Sequence, residues 1–495
     1  MQLIKKPHLT TDAYKIGHAH LYEDTVELIY ETLVPRTNSY FPWSNKMVVF
    51  GYEYFVYMLK KSWDEGFFSK PWLELEEDFR TIERMFDAGV YAEMTRRFHD
   101  LYLLGYLPLE IKALPEGTLV PMRVPVLSIH NTHQDFYWLP GYLETTLLAN
   151  TFVTSTNASV ARQFRKVAKK WADKTAEDDA FLDFQFHDFS QRGQHGDEAA
   201  VLSGLAHLTS FKGTDVIPAV VEAEALYGKN NFYGGSVLAT EHSVMEAYGT
   251  DQFVAFRKLI ENNPTGILSV VSDTYDYWEV VDEVLPALKD EIMARDGKLV
   301  LRPDSLSEVR TKHAPSHRIE TVEEMLVNTL SALFVTFGGH TNSKGYKVLD
   351  PHVGLLHGEG ITLDNVDDLF AKIAEAGFST ENIVLGAGAY VYSVNSSRDS
   401  FGQALKASVA IIDGVETQIF KKPKSEAEAF KASPKGAVAV TGTSGNYERI
   451  EGLTLDEAAN YEGDQLVTIF EDGILKDLTP FEEIRTRIQN DLYID

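Results

Sequence analysis

Six short apolar runs between residues 181 and 398 each end in a cluster of charged, small or aromatic residues. Most of these clusters are followed by a helix-like stretch. In barrels of alternating strands and helices, the loops after the strands build the active face. Six clusters in order therefore indicate an α/β barrel whose strand ends converge on one site. The runs with their clusters are FLDFQF-HDFSQRG (181–193), LTSF-KGTD (208–215), GILSVV-SDTYD (266–276), KLVL-RPDS (298–305), VGLL-HGEG (353–360) and NIVL-GAGA (382–389).

The remainder of the 495 residues predicts a second domain made from both ends of the chain. Residues 1–150 mix strand-like and helix-like pieces, including a strand-like segment at 26–36. Residues 151–400 hold the predicted barrel, in which 306–345 lack a strong strand and are interpreted as an insertion. Residues 401–495 return to short strands and turns. We expect them to pack with the N-terminal part as an α+β domain.

Charge and composition exclude several classes of function. The chain has 46 Lys and Arg against 73 Asp and Glu, a formal charge of −27, so it lacks the basic surplus that nucleic acids or anionic membranes require. It has no cysteine, which excludes disulfides, thiolate nucleophiles and Cys-ligated zinc. The N-terminus lacks a signal-peptide core, and no apolar stretch reaches 18 residues. We therefore expect a cytoplasmic protein without nucleic-acid or membrane partners.

Three of the strand-end clusters suit phosphates. Arg302 follows an apolar strand, and its guanidinium can hold an oxyanion with two parallel hydrogen bonds. The HGEG and GAGA loops expose backbone amides after the last two predicted strands, where barrels often bind phosphate. Together these loops favour a phosphate monoester over simple small-residue turns.

Two further clusters carry carboxylates. Asp273 and Asp276 follow one strand, where they could hold magnesium directly or through water, or cap the next helix. Asp215 in Phe211-Lys-Gly-Thr-Asp215 could contact a ligand or cap a helix in the same way. No Ser-His-Asp arrangement or Walker-type loop is visible, so hydrolase and P-loop kinase functions have no support.

The HDFSQRG cluster is the most unusual of the six. The aromatic side chain of Phe189 is suited to a ligand with a flat ring, and Gly193 allows close approach of the backbone to a ligand. The alternatives are a buried His–Asp hydrogen bond with Arg192 in a salt bridge, or a metal site formed by His187, Asp188 and His195. His242, at the start of a predicted helix, could be structural or functional.

Taken together, HDFSQRG, FKGTD, TEHS, VVSDTYD, LRPDS, HGEG and Arg398-Asp399 resemble the nicotinamide phosphoribosyltransferase family. TDAYK near the N-terminus, SKGYK (343–347) and IFKKP (419–423) extend the resemblance over nearly the whole chain. It implies an irregular α/β barrel of the nicotinate/quinolinate phosphoribosyltransferase type with a second α+β domain, in a head-to-tail homodimer with shared active sites. The implied reaction joins nicotinamide to 5-phosphoribosyl-1-pyrophosphate, giving nicotinamide mononucleotide and pyrophosphate in NAD salvage.

The resemblance also implies roles for individual residues. Phe189 stacks on the pyridine ring opposite Tyr14 of the partner subunit, and Asp215 accepts a hydrogen bond from the carboxamide. The residues implied to bind pyrophosphate are Arg192, His242 and Arg302. The residues implied to contact the ribose 5-phosphate region are Gly358, Glu359, Gly388 and Arg398, with Arg36, Lys406 and Lys421 as further phosphate contacts. The catalytic set is Asp215, His242, Asp273 and Asp304.

Two cofactors follow from the same resemblance. Magnesium is expected through Asp273 and Asp304, directly or by way of water. ATP is expected to stimulate the enzyme by phosphorylating His242. The chain departs from the family pattern at Glu359, where the family has Asp, at Ser190, where it has Gly, and at Ala404, where it has Ser.

Asp215 also bears on the choice of substrate. Nicotinate carries a carboxylate where nicotinamide carries an amide, and two like charges about 4 Å apart at an effective dielectric near 20 repel by roughly 4 kcal/mol. Nicotinamide is therefore the expected substrate. The alternatives are a nicotinate phosphoribosyltransferase and a catalytically silent family member with a signalling or scaffold role.

Overall fold

The computed structural model describes residues 5–86, 88–305, 321–394, 396–421 and 433–494. The chain forms two compact units, the first comprising Met1–Ser159, Glu222–Lys229 and Asn395–Asp495, and the second comprising Val160–Val221 and Asn230–Val394. Part of the predicted insertion, 306–320, lies outside the described residues. Within the ranges that are described, no helix is both long enough and apolar enough to cross a membrane.

The first unit is built on an antiparallel sheet. Its strands, in spatial order, are Val415–Gln418, Ala404–Ile412, Val26–Val34, Leu127–Asn131, Leu109–Ala113, Val467–Glu471 and Ile474–Leu475. In the strand LEIKA (109–113), the first, third and fifth residues are buried and the two between them are half-buried. Alternate residues of a strand point to opposite faces, so the apolar residues lie on the more deeply covered face of the sheet. The strand predicted at 26–36 is confirmed as Val26–Val34. Two short pairs accompany the sheet, Lys46–Val48 with Leu119–Pro121 and Ala437–Thr441 with Glu448–Leu453.

Helices flank this sheet, and their contacts are largely aromatic. Trp63, Phe67, Phe79 and Phe98 are each at most 1% exposed and form one ring cluster. The helices and helical turns up to residue 175 and after 400 are Pro7–Leu9, Ala13–Gly17, His18–Leu21, Tyr52–Trp63, Asp64–Phe68, Trp72–Met85, Ala88–Leu104, Gln134–Phe136, Leu139–Thr175, Leu455–Ala459 and Phe481–Asn490.

The second unit contains a parallel sheet whose spatial order follows the order of the chain. Its strands are Phe186–Asp188, Gly213–Thr214, Leu238–Ala239, Thr265–Val271, Asp296–Arg302, Val353–His357 and Ile383–Ala387. The last strand pairs with the first, and an isolated parallel bridge between Gly213 and Gly235 brings the remaining two edges together. The predicted α/β barrel with a second α+β unit is thus confirmed, and its strands are unequal, with two to seven residues each.

The strand positions differ from the apolar runs in two places. The run at 181–186 is mostly the helical turn Ala180–Phe184, so the strand begins at Phe186 and includes His187 and Asp188. The run at 208–211 begins at the end of the helix Asp197–Leu208, and the strand is the polar pair Gly213–Thr214. A seventh strand, Leu238–Ala239, was not predicted because two residues are too few to give an apolar run.

Helices connect the strands of the ring, as a parallel sheet requires. They are Asp197–Leu208, Ile217–Tyr227, His242–Glu246, Gln252–Asn262, Tyr277–Glu279, Leu285–Ala287, Lys289–Met293, Val322–Phe337, Val366–Glu375 and Ala389–Ser393, with the turns Gln191–Gly193, Val280–Val284 and Thr380–Asn382 and a small strand pair, Gly339–Thr341 with Lys347–Leu349. Because all seven strands run in one direction, the residues after their carboxyl ends lie at one end of the ring.

Candidate active site

Asp215 follows the strand Gly213–Thr214 and meets two neighbouring loops. Its Oδ1 atom lies 2.9 Å from Nε2 of His187 and accepts the hydroxyl hydrogen bond of Ser236. Burial raises the pKa of Asp215, but these two hydrogen bonds and the Arg302 guanidinium outweigh burial, so the pKa lies below its ordinary value. The carboxylate is therefore a fixed anion at neutral pH.

Phe189 lies on the loop after the first strand of the ring and packs on His187, the partner of this carboxylate. Its amide donates to the carbonyl of Ala387 at 3.0 Å, and its ring centroid is 4.6 Å from that of His187. Gly386 makes room for it, because a Cβ there would stand 2.9 Å from the Phe189 ring and 2.6 Å from the Gly358 Cα. A half-buried aromatic face and an anionic acceptor are thus brought together.

Asp273 holds the loop that follows the strand Asp296–Arg302. Its Oδ2 atom accepts from the amides of Asp304 at 3.1 Å and Ser305 at 2.6 Å, and from the Ser305 hydroxyl at 2.5 Å. Its side chain is only 2% exposed, and its Oδ1 atom is buried without a hydrogen-bond partner. Such an oxygen is costly to leave unsatisfied and is suited to a cation or a donor from a ligand.

Asp276, three residues further along the chain, makes different contacts. Its carboxylate accepts from the amides of Trp278 and Glu279 and so caps the helix Tyr277–Glu279. Asp276 is the helix cap, and Asp273 faces the loop that carries Asp304.

His242 and Arg302 lie next to these carboxylates. His242 shares a hydrogen bond of 3.0 Å between Nδ1 and the Thr274 hydroxyl, and its Nε2 is 4.0 Å from Asp273 and 3.9 Å from Asp304. Arg302 donates from Nη2 to the carbonyl of Thr240 at 2.7 Å, while its buried Nε lacks a hydrogen bond. The Arg302 Nε is 3.5 Å from Asp304 Oδ1, an ion pair rather than a hydrogen bond.

The donor set fits magnesium bound partly by substrate. No three His, Asp or Glu side chains in the described part of the chain form a metal-binding group. Mg²⁺, however, commonly takes one or two carboxylates and completes its shell with water and substrate phosphates. The orphaned Oδ1 of Asp273 and the half-exposed carboxylate of Asp304 supply such a pair.

The other predicted residues of the second unit lie on the loops at the same end of the ring. Gly358 and Glu359 follow the strand Val353–His357, and Gly388 precedes the helix Ala389–Ser393. Arg192 lies in the turn Gln191–Gly193, is exposed, and forms no hydrogen bond or ion pair with the residues that the structure describes. The salt bridge considered for Arg192 is thus not formed, and His187 bonds to Asp215 rather than to Asp188.

Five predicted residues belong to the first unit. Tyr14 is 62% exposed, and Lys421 is exposed as well. Arg36 donates from Nε to the Gly402 carbonyl at 2.8 Å, and burial together with the Arg398 guanidinium lowers its pKa, so these two cations are neighbours. Lys406 donates to its neighbouring carbonyl of Leu405 at 2.7 Å. Paired guanidinium groups are suited to a phosphate.

Sequence reasoning missed three contributors to this arrangement. His187 was considered with Asp188 and His195 but not with Asp215, and Ser236 was not considered. The glycine required by packing is Gly386 rather than Gly388, whose Cβ position is open. His187 and Asp215 both follow adjacent strands of the predicted ring, and that adjacency was the available signal.

Comparisons with known proteins agree with this architecture. The family model described as the nicotinate phosphoribosyltransferase (NAPRTase) family matches residues 184–472. A nicotinamide phosphoribosyltransferase of Acinetobacter baylyi is 36% identical over 508 residues, covering 97% of this chain and 96% of the relative. One of Mycoplasma pneumoniae is 31% identical over 425 residues, covering 80% of this chain and 88% of the relative. The crystal structure of human nicotinic acid phosphoribosyltransferase has a TM-score of 0.61 at 15% identity, covers 97% and 93% of the two chains, and shows a shared fold.

Proposed function

This chain belongs to the nicotinate phosphoribosyltransferase family, and we propose that within the family it is a nicotinamide phosphoribosyltransferase. It transfers the 5-phosphoribosyl group of phosphoribosyl pyrophosphate to nicotinamide, a step of NAD salvage. The observation that carries this choice of substrate is the Asp215 carboxylate, held as an anion by His187 beside the ring of Phe189.

The pyridine is bound by Phe189 and Asp215. The aromatic side chain offers a face for stacking, and the anion accepts a hydrogen bond from the carboxamide N–H. Nicotinate has no such donor and adds a negative charge, which costs about 4 kcal/mol at about 4 Å if the effective dielectric is near 20. The same pocket therefore binds the amide and disfavours the acid.

The departing pyrophosphate is met by nitrogen groups of three side chains. Arg302 presents a buried Nε that lacks a hydrogen bond, and His242 and the exposed Arg192 follow other strands of the same ring. Asp273 and Asp304 would hold magnesium, which when bound would supply charge neutralisation for the departing pyrophosphate. The chain itself supplies fixed dipoles and charges that need no rearrangement as the anion forms.

The reaction needs no covalent intermediate on the protein. The pyridine nitrogen gives its lone pair to the anomeric carbon, and the electron pair of the breaking C–O bond leaves with pyrophosphate. Positive charge then spreads over ribose and ring, where the carboxylates of Asp273 and Asp304 stabilise it. No proton is transferred. No covalent nucleophile is required either, which agrees with the lack of cysteine in the chain.

In the second unit, the loops that carry Gly358, Glu359 and Gly388 bind the ribose 5-phosphate. In the first unit, the proposed phosphate contacts are Arg36, Arg398, Lys406 and Lys421, and the effect of the Arg398 guanidinium on the pKa of Arg36 supports a local cluster of positive charge there. The active unit is a cytoplasmic homodimer in which Tyr14 of one subunit stacks on the pyridine of the other, and its 62% exposed ring supports that role. Mixing Tyr14→Ala and Arg302→Ala subunits should restore about a quarter of the active sites by statistics. A mixture as inactive as its parents would refute the shared site.

ATP stimulates the enzyme by phosphorylating His242. The Nδ1 atom is engaged by Thr274, while the side chain is 45% exposed and its Nε2 forms no hydrogen bond within the described ranges. Incubation with labelled ATP should give an acid-labile phosphohistidine that is lost in His242→Ala. Absence of label in the wild type would remove ATP from the account.

A product assay tests the proposed function. The purified chain is given magnesium and phosphoribosyl pyrophosphate with either nicotinamide or nicotinate. We expect equimolar mononucleotide and pyrophosphate from nicotinamide. Product mainly from nicotinate would reassign the substrate, and no product from either would indicate a silent member of the family.

A further inference from the structure

The two oxygens of the Asp215 carboxylate differ in their partners. Oδ1 receives both His187 Nε2 at 2.9 Å and the hydroxyl of Ser236. Oδ2 receives no hydrogen bond from the residues that the structure describes, and the side chain is 44% exposed. The protein thus occupies one oxygen and leaves the other to a ligand.

His187 is oriented by this contact. A carboxylate only accepts hydrogen bonds, so Nε2 donates to Oδ1. Nδ1 of the same ring lies against Gly213, where an added Cβ would stand 2.9 Å away. The same imidazole, 9% exposed, lies 4.6 Å from the Phe189 ring at an interplanar angle of 32°. One buried side chain therefore fixes both the carboxylate and the aromatic ring.

We infer that His187 and Ser236 are specificity-determining positioning residues for the pyridine substrate, an inference that rests on the function proposed above. By saturating Oδ1 they leave Oδ2 as the acceptor that meets the ring substituent. A carboxamide offers an N–H to that oxygen, whereas a carboxylate offers only lone pairs and like charge. The selected class is a neutral pyridine that carries a hydrogen-bond donor.

Loss of either donor should weaken this selection. The carboxylate can then turn about its side-chain torsions, because one of the two donors no longer holds Oδ1. One hydrogen bond to a charged group is equivalent to about a 10- to 100-fold change in an equilibrium constant. We expect the change in the KM for the pyridine substrate, since the group acts on binding of the ring rather than on departure of pyrophosphate.

The test compares Ser236→Ala, His187→Ala and His187→Gln with wild type, measuring kcat and KM for nicotinamide and for nicotinate. Ser236→Ala and His187→Ala should raise KM for nicotinamide and lower KM for nicotinate, so that the preference falls about 10- to 100-fold. His187→Gln restores an N–H donor and should recover part of the preference. Ser331→Ala removes an exposed serine hydroxyl on the helix Val322–Phe337 and is the matched control.

A role limited to folding gives a different result. It would lower activity on both substrates in parallel, or lower Tm, without changing their ratio, and that result would overturn the inference. If His187→Ala does not fold, the exposed Ser236 still carries the test, because its removal leaves no buried cavity. Failure of the proposed function is seen separately, as absence of nicotinamide mononucleotide from the wild type.

Discussion

Replacing Asp273 by Asn tests whether this buried carboxylate serves as a magnesium ligand or only holds the neighbouring loop. The structure separates the two roles by atom. Oδ2 accepts three hydrogen bonds from Asp304 and Ser305, and Oδ1 is buried without a partner. Asn keeps the shape of the side chain and one accepting oxygen, but removes the charge and places an amide nitrogen on one of the two positions.

The effect on stability should be small. The three hydrogen bonds weaken when the acceptor becomes neutral, by about 0.5–1 kcal/mol each. Removing a buried charge offsets part of that loss, because its desolvation cost disappears as well. We expect the free energy of unfolding to fall by about 1–2 kcal/mol, measured by denaturant titration without magnesium or substrate.

The effect on magnesium dependence should be large. If Oδ1 is a ligand or holds a ligating water, losing it should raise the magnesium concentration for half-maximal activity about 10- to 100-fold, the range found when outer-shell partners of metal sites are removed. The assay is the initial rate of pyrophosphate release against magnesium concentration, at saturating nicotinamide and phosphoribosyl pyrophosphate.

Asp276→Asn is the matched control. It lies in the same loop and also accepts backbone amides, but those amides belong to the helix that it caps. Because Asn caps a helix about as well as Asp, this variant should lose less than about 1 kcal/mol of stability and keep the wild-type magnesium dependence. Equal magnesium curves for the two variants would refute the assignment of Asp273 to the cation.

Three further predictions follow from the packing and the charges. Gly386→Ala would place a Cβ 2.6 Å from the Gly358 Cα, and we expect the KM for nicotinamide to rise at least about 10-fold as the ring pocket shifts; an unchanged KM would contradict this. Glu116→Ala would leave three buried amides at the start of the helix Tyr52–Trp63 without their acceptor. The free energy of unfolding, measured by denaturant titration, should fall by about 3 kcal/mol or more. A fall below about 1 kcal/mol would contradict this prediction. Because the pKa of Asp215 is lowered in the folded state, its contribution to stability is present above about pH 4 and is lost as pH falls through the lowered value. The difference in unfolding free energy between wild type and Asp215→Asn should therefore be constant from about pH 8 to 5 and shrink below about pH 4; a difference that grows on acidification would have the wrong sign.

The ring of strands could be predicted from the sequence because buried strands are rich in apolar residues. Strand segments covered on both faces are apolar runs in the sequence, and residues 268–271 of Thr265–Val271 and 299–301 of Asp296–Arg302 are of this kind. The strands Gly213–Thr214 and Leu238–Ala239 are two residues long and leave no such trace. Their places are set by pairing with neighbours, which only the assembled sheet shows.

Local sequence signals for helix ends also failed where tertiary packing determines the structure. Asn157 and Ser159 are residue types that favour helix caps, yet both lie inside the helix Leu139–Thr175 and are buried. The Ser159 hydroxyl bonds back to the Ser155 carbonyl and receives the Val48 amide, so it is satisfied without ending the helix.

The site residues, too, could be predicted only where the signal lies in the local sequence. Residues such as Asp215, Asp273 and Arg302 could be selected as candidates because each follows a predicted strand. Their partners could not be assigned, since His187 lies 28 residues before Asp215 and Asp273 binds a loop 31 residues later. The roles of the individual site residues stay predictions until the variants are measured.

The most direct measurement of the central claim is the ratio of kcat/KM for nicotinamide to that for nicotinate, in wild type and in Asp215→Asn. Asn keeps the shape but removes the charge and can place an N–H₂ donor where Oδ2 stood. We predict a wild-type ratio of about a thousand, from a repulsion near 4 kcal/mol, and a fall of at least about 100-fold in the variant. A wild-type preference for nicotinate, or a ratio that Asp215→Asn leaves unchanged, would contradict the account.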